Sequence, residues 1–222
     1  QLESQVRYAR REAAYQRWCA KLARKPTDLE MARWLDCDRK ILLDWAMRHY
    51  QLHASDVIAH AFLETPARNN DKRARVRNGP WRYAKYRIVV FLLTRDGVRQ
   101  VSADLDFQRA VFANCHRTNY RFDAVAAVHV TDSDGYPRTF ELTLVNGERI
   151  NVRVTESGAE QLQLGEDPDA LSRTAKDASG LTDTLHVLEG IAAEGKEWVV
   201  HEIQHGNGRI NALTTAIHDE PD

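Results

Sequence analysis

The residues with the clearest capacity for chemistry lie near the end of the chain, at His201-Glu202-Ile203-Gln204-His205. The spacing is H-E-x-x-H. Residues four apart share a helix face, so both imidazoles could hold one Zn²⁺ while Glu202 serves as general base on the metal-bound water. His201 and His205 are therefore the candidate metal ligands, zinc the candidate cofactor, and a zinc-dependent hydrolase the reaction class. The same residues also read as a plain helix end. Gly206 suits the position just past a helix C-terminus, His205 complements the helix dipole, and Asn207-Gly208 turns the chain. The other histidines are poorer candidates: His53 and His60 fall seven apart in a helical pattern, and His129 points outward between Val128 and Val130. No glycine-rich phosphate loop follows a strand, and no Ser or Cys nucleophile sits on a recognisable elbow.

Two family resemblances attach to this stretch. Gly208 follows His205 by three, similar to the extended motif of metzincin peptidases, although Asn211 stands at that family's third histidine and only His218 and Glu220 follow as donors. His201 through Arg209, HEIQHGNGR, resembles the loop of Fic-type nucleotidyl transferases. That resemblance implies His201 as base and Gly206 to Arg209 as phosphate cradle, with His205 in place of the family's acid. The Fic fold is all-helical, whereas strands precede the motif here.

The element that must position the motif is a helix over Leu181 to His205. Its apolar stripe runs through Leu181, Leu185, Leu188, Ala192, Val199 and Ile203, and Gly190 and Gly195 weaken it or mark close packing. It is expected to lie over a block of antiparallel strands between Tyr83 and Thr155. There Val101, Ala103, Leu105 and Phe107 alternate with Gln100, Ser102, Asp104 and Asp106. The same period of two runs through Phe140–Leu144 and Ile150–Val154. Asp96-Gly97 and Asn146-Gly147 read as hairpin turns with positive φ at both central positions. Ile88 to Leu93 is unbroken apolar and predicts a central strand. Further strands are expected at Arg109–Asn114 and at Arg117–Thr131 with a break near Asp123, the whole curling into a small barrel or sandwich. Asp132-Ser133-Asp134-Gly135 reads as a turn, and 170–178 as a short helix capped by Asp167 or Asp169.

Upstream the pattern is helical. Gln1 to Ala23 predicts a helix with a basic face of Arg7, Arg10, Arg11, Arg17 and Lys21, which reads either as a solvated face or as a membrane-surface contact. Thr27 with Glu30 forms a capping box, opening helices at Leu29–Leu35 and Asp38–Gln51 around Asp36-Cys37-Asp38. His53 to Leu63 continues the helical pattern. Lys25 to Leu43, KPTDLEMARWLDCDRKILL, resembles the helix-turn-helix of bacterial sigma factors through Ala32, Leu35, Ile41 and Leu42. That resemblance implies DNA binding through residues 27–48, against which Asp36, Asp38 and Asp44 place acid where phosphates would approach.

Composition bounds the partners. The 222 residues carry a net charge of −1, which argues against a global commitment to nucleic acid or membrane. Charge is nevertheless segregated. Arg68 to Arg87 holds Arg68, Lys72, Arg73, Arg75, Arg77, Arg82, Lys85 and Arg87 against Asp71, while Thr155 to Glu197 holds ten acids against three bases. Trp81, Tyr83 and Tyr86 interleave with the basic side chains, a pattern suited to stacking and phosphate contact. Residues 68–80 read as a basic linker between an N-terminal helical segment, 1–67, and a β domain, 81–222. Cys19, Cys37 and Cys115 are far apart and form no CxxC, which predicts a reducing, cytoplasmic setting. No apolar run of membrane-spanning length occurs. The first residue is Gln, so the chain reads as part of a longer bacterial protein.

A small antiparallel β unit closed by one C-terminal helix, with Arg117 to Val130 (RTNYRFDAVAAVHV) as one of its strands, resembles the pleckstrin-homology-like superfold over Trp81 to His205. That resemblance implies a binding scaffold without specifying its ligand. The sequence thus predicts an α+β protein acting as a non-catalytic interaction or regulatory module. Its contact surface for a protein partner or acidic surface would be Lys72, Arg73, Arg75, Arg77, Arg82, Lys85 and Arg87. The zinc hydrolase of His201, Glu202 and His205 is the second reading and DNA binding the third.

Overall fold

The computed structural model describes residues 2–20, 25–67, 72–133, 136–145, 149–153 and 180–204. The chain is α+β. Among the described residues, two helices, α1 (Leu2–Ala20) and α2 (Asp28–His49), precede nine strands, and α3 (Leu181–Glu194) and α4 (Lys196–Gln204) follow them. The strands are β1 (Val57–Pro66), β2 (Arg73–Ala74), β3 (Arg82–Tyr83), β4 (Lys85–Thr94), β5 (Gly97–Asp106), β6 (Val111–Tyr120), β7 (Val125–Ser133), β8 (Tyr136–Leu144) and β9 (Arg149–Arg153).

The strands form antiparallel sheets ordered β1-β4-β5-β6, β2-β3 and β7-β8-β9. Of the expected barrel or sandwich, the closed barrel is corrected, since among the described residues no ladder joins the four-stranded sheet to the three-stranded one. Helices fill the role that closure would have had. Ile88, Val90 and Leu92 of β4 pack with Leu35, Leu42 and Ala46 of α2 on one face. Val89, Phe91 and Leu93 pack on the other with Val187, Leu188 and Ile191 of α3, Trp198 and Val199 of α4, and Leu142 of β8. A strand covered on both faces has no wet side, and this is why its apolar run is unbroken.

The helical reading of His53 to Leu63 is corrected. A 3-10 turn at Ala54–Asp56 leads into β1, which pairs with β4 from Val57↔Thr94 to Pro66↔Tyr86. Ala and Leu suit a helix, but the open edge of β4 offers a full ladder, and pairing overrides propensity. His60 lies on β1 edge-on to Phe62, and burial pulls its imidazole below the ordinary value. The break expected at 36–38 is also absent. α2 is one helix of 22 residues, opened by the anticipated capping box of Thr27 and Glu30. Asp38 is 1% exposed and faces Arg11 of α1, so it cannot cap a second helix. Leu35 and Leu42 of this continuous helix face the sheet.

Strands β4 and β5 follow the sequence reading, with the register running from Lys85↔Asp106 to Thr94↔Gly97. The turn is offset by one residue: Arg95 and Asp96 form the tip and Gly97, with φ 153°, opens β5. A side chain at Gly97 would run into the Tyr120 carbonyl of β6. The strands expected at 109–114 and 117–131 divide differently. β6 passes through 114–117 as a bulged strand, with Asn114 at φ 50°, and the break falls at the 3-10 turn Phe122–Ala124. The Asn146-Gly147 turn lies outside the described residues, though β8 and β9 pair on either side of it from Thr143↔Arg149. The expected turn at 132–135 and helix at 170–178 also involve residues outside the description.

The single terminal helix is corrected to two. Gly195, with φ 60°, ends α3, and α4 folds back so that Trp198 lies on Gly190. This reversal leaves Ile203 exposed although it continues the stripe of Leu188 and Val199. At the other end of α3, the Thr184 hydroxyl donates to the Phe62 carbonyl at 3.0 Å, fixing the helix to β1.

Candidate functional site

Within residues 72–84, the described part of the basic segment, two short strands pair as a hairpin. β2 pairs with β3 through Arg73↔Tyr83 and Ala74↔Arg82, and the Ala84 amide donates to the Lys72 carbonyl at 3.0 Å. Its tip turns at 76–79, where the Gly79 amide donates to the Val76 carbonyl and Asn78 takes φ 59°. Asparagine tolerates that left-handed conformation better than most residues do.

The seven basic candidates divide into two groups. Arg82 is 8% exposed and donates through Nε and Nη2 to both Asp28 oxygens at 2.7 and 3.0 Å, tying the hairpin to the start of α2. Arg87 donates to Asp104 and Ser102, both at 2.9 Å, across the β4–β5 ladder. Lys85 stands opposite Asp106. These three sit within the strand framework. Arg73 and Arg75 instead lie over the indole of Trp81, at 4.6 and 5.4 Å from its ring centre. Lys72, Arg73 and Arg77 are exposed, and Arg75 is half-buried.

An aromatic face beneath two guanidiniums limits their rotamers. Stacking therefore preorganises the hairpin as a cationic surface. The other interleaved aromatics do a different job. Tyr86 is buried, with Phe107 at 5.8 Å and Tyr83 at 5.5 Å, and its hydroxyl accepts from the Tyr83 amide. Burial raises the Tyr86 phenol beyond its ordinary range. Only Trp81 belongs to the candidate surface.

At the H-E-x-x-H stretch, α4 ends at Gln204, so His205 and the 206–209 segment lie outside the described residues. His201 Nδ1 lies 3.1 Å from Glu194, and Glu202 lies 3.7 Å from His186 Nε2. Both side chains thus meet partners on α3. Among the described residues, no group of three His, Cys, Asp or Glu side chains is placed to hold a metal.

α1 is held by a charge that sequence reading assigned to the solvent. Arg11, 2% exposed, meets Asp38, donates to the Phe107 carbonyl at 2.8 Å, and lies over the rings of Trp34 and Phe107. Burial pushes the Asp38 carboxyl up to about 7, with Arg11 opposing the shift and Glu64 adding to it. Glu64 is itself raised by burial, against the pull of Arg39. Arg7, on the same face, pairs with Asp44 of α2 at 3.3 Å.

The fold also assembles a side-chain cluster that no stretch of sequence announces. Arg99 of β5, Arg117 of β6 and His49 of α2 meet at the end of the four-stranded sheet. Beside them lies a cleft of roughly 630 Å³, whose walls include Thr94, Val98, Arg99, Asn119, Tyr120 and Arg121.

Comparison with known proteins returns no matching family model, no matching curated protein and no matching solved structure. No helix among the described residues is long and apolar enough to cross a membrane.

Proposed function

We propose that the chain is a non-catalytic interaction module that docks an acidic protein partner through the β2–β3 hairpin. The observation that carries this reading is the stacking of Arg73 and Arg75 on Trp81, with Lys72 and Arg77 exposed on the same short hairpin. Arg82 supports the hairpin from beneath through Asp28 and is a positioning residue. An antiparallel β unit with C-terminal helices packed on it also supports the pleckstrin-homology-like reading, in which the scaffold presents a loop and carries out no reaction.

Surface guanidiniums recognise carboxylates through charge-assisted, forked hydrogen bonds, which salt screens. The test is fluorescence anisotropy of a labelled oligo-glutamate peptide. Binding is expected at about 50 mM salt and should weaken several-fold by about 200 mM. Arg73→Glu combined with Arg75→Glu should abolish it. Equal binding by that variant, or none by the parent at low salt, would refute the proposal.

A further inference from the structure

At the opposite end of β5 from Asp106, the fold brings two arginines together, and among the described residues no carboxylate meets either of them. Arg99 lies over the Tyr50 ring, 5.2 Å from its centre. Arg117 Nη1 lies against the His49 ring nitrogens. His49 in turn stacks on Trp45 and meets Tyr50 edge-on, so α2 ends in an aromatic platform for the two arginines. The β5–β6 register accounts for the convergence. Arg99 pairs with Asn119 and Val101 with Arg117, which places Arg99 and Arg117 diagonally across one face of adjacent strands.

Three observations mark this cluster as a site. Arg7, Arg11, Arg39, Arg82 and Arg87 all meet a carboxylate, whereas among the described residues neither Arg99 nor Arg117 does. The Arg99 Nε is buried without a hydrogen-bond partner, a state that costs free energy unless something accepts from it. Finally, the Tyr50 hydroxyl is buried within the electrostatic reach of both arginines. Asn119 approaches this hydroxyl, which still closes no hydrogen bond of good geometry.

We infer that Arg99, Arg117, His49, Tyr50 and Asn119 form a binding site for a phosphomonoester dianion. Two guanidiniums carry a charge of about +2 at neutral pH, which a phosphomonoester at about −2 balances and a single carboxylate does not. Donors from Arg99, Arg117, Tyr50 and Asn119 match the several acceptor oxygens of a phosphate. A cleft that Arg99 and Asn119 also line, together with Asp96 and Arg121, opens at the same end of the sheet. This site involves different residues from the hairpin, and each can fail without the other.

The experiment is an NMR titration of the full chain with glycerol 3-phosphate, beside sedimentation with vesicles containing phosphatidic acid. Acetate serves as the monoanionic control. Glycerol 3-phosphate is expected to shift the amides of residues 49–50, 99 and 117–119, and acetate to leave them in place. Arg117→Gln should weaken binding by about tenfold or more. Arg73→Gln with Arg75→Gln should leave it unchanged. Arg117 is exposed, so its variant should melt as the parent does and carry the test even if Arg99→Gln unfolds. Binding to vesicles alone, lost in Arg117→Gln, would assign the phosphate to a lipid headgroup. Absence of both responses, or responses indifferent to Arg117→Gln, would overturn the site.

Discussion

Cations of one type do unlike work in this protein, and burial separates their roles. Arg82 and Arg11 are nearly inaccessible and hold elements together, whereas Arg73 lies in the open on an indole. Removing one partner of a buried pair leaves the other charge uncompensated, which costs about 3–5 kcal/mol. Arg82→Ala is accordingly expected to lower the melting temperature by several degrees, and Arg73→Gln to change stability by less than about 0.5 kcal/mol. Thermal unfolding of the two variants checks the division. A large loss in Arg73→Gln would show that this cation, too, is structural.

Asp38 gives a pH prediction at the same scale. Its carboxyl, raised to about 7, binds a proton in the folded chain that the unfolded chain, at about 3.9, releases earlier. Between these values the folded state holds more protons, so this group's contribution to stability is present at low pH and is lost as pH rises towards 7. Glu64, also raised by burial, acts in the same direction. Asp38→Asn should flatten part of that decline. The melting-temperature difference between parent and variant should therefore change steadily from about pH 4 to 7, and a difference independent of pH would contradict the burial argument.

Among the elements, legibility followed the range of the forces involved. The β4–β5 hairpin and the capping box at Thr27 depend on residues within a few positions of one another, and both were readable. β1 was not, because its ladder partner β4 lies about twenty to forty residues away and its own composition suits a helix. α2 was divided at Asp36-Cys37-Asp38 because paired aspartates resemble a cap. The charge that neutralises Asp38 comes from another helix. Gly190 and Gly195 were marked for close packing or weakness, and each does one of these: Gly190 admits Trp198, and Gly195 reverses the chain. Gly190→Ala should destabilise by about 1–3 kcal/mol, because the indole must move. Gly195→Ala has open space around the added methyl, and its cost of about 1–3 kcal/mol is the backbone strain at φ 60° and ψ −131°. Chemical denaturation measures both, and no loss at either glycine would contradict this account of the helix reversal.

On the scale of the whole molecule, helices on both faces of one four-stranded sheet leave two cationic surfaces near opposite ends of its strands. The charges of the hairpin could be found in the sequence because they fall within one short stretch, whereas the pairing of β2 with β3 could not. The Arg99 and Arg117 cluster could not, since its members come from three elements and meet only through the β5–β6 register. Trp81 was one of three aromatics singled out, and it is the one that carries two guanidiniums over its ring, whereas Tyr83 and Tyr86 pack edge-on against each other. At His201 and Glu202 the motif was legible, but the contacts made by the described side chains, with Glu194 and His186, depend on the reversal at Gly195.

The proposed docking surface is the β2–β3 hairpin. Hydrogen–deuterium exchange of the full chain, with and without the oligo-glutamate peptide, tests it most directly, because it reports which backbone becomes protected. Protection is expected across residues 72–83 and should disappear in the Arg73→Glu, Arg75→Glu variant. Protection confined to other segments, or none under conditions where the peptide binds, would contradict the account.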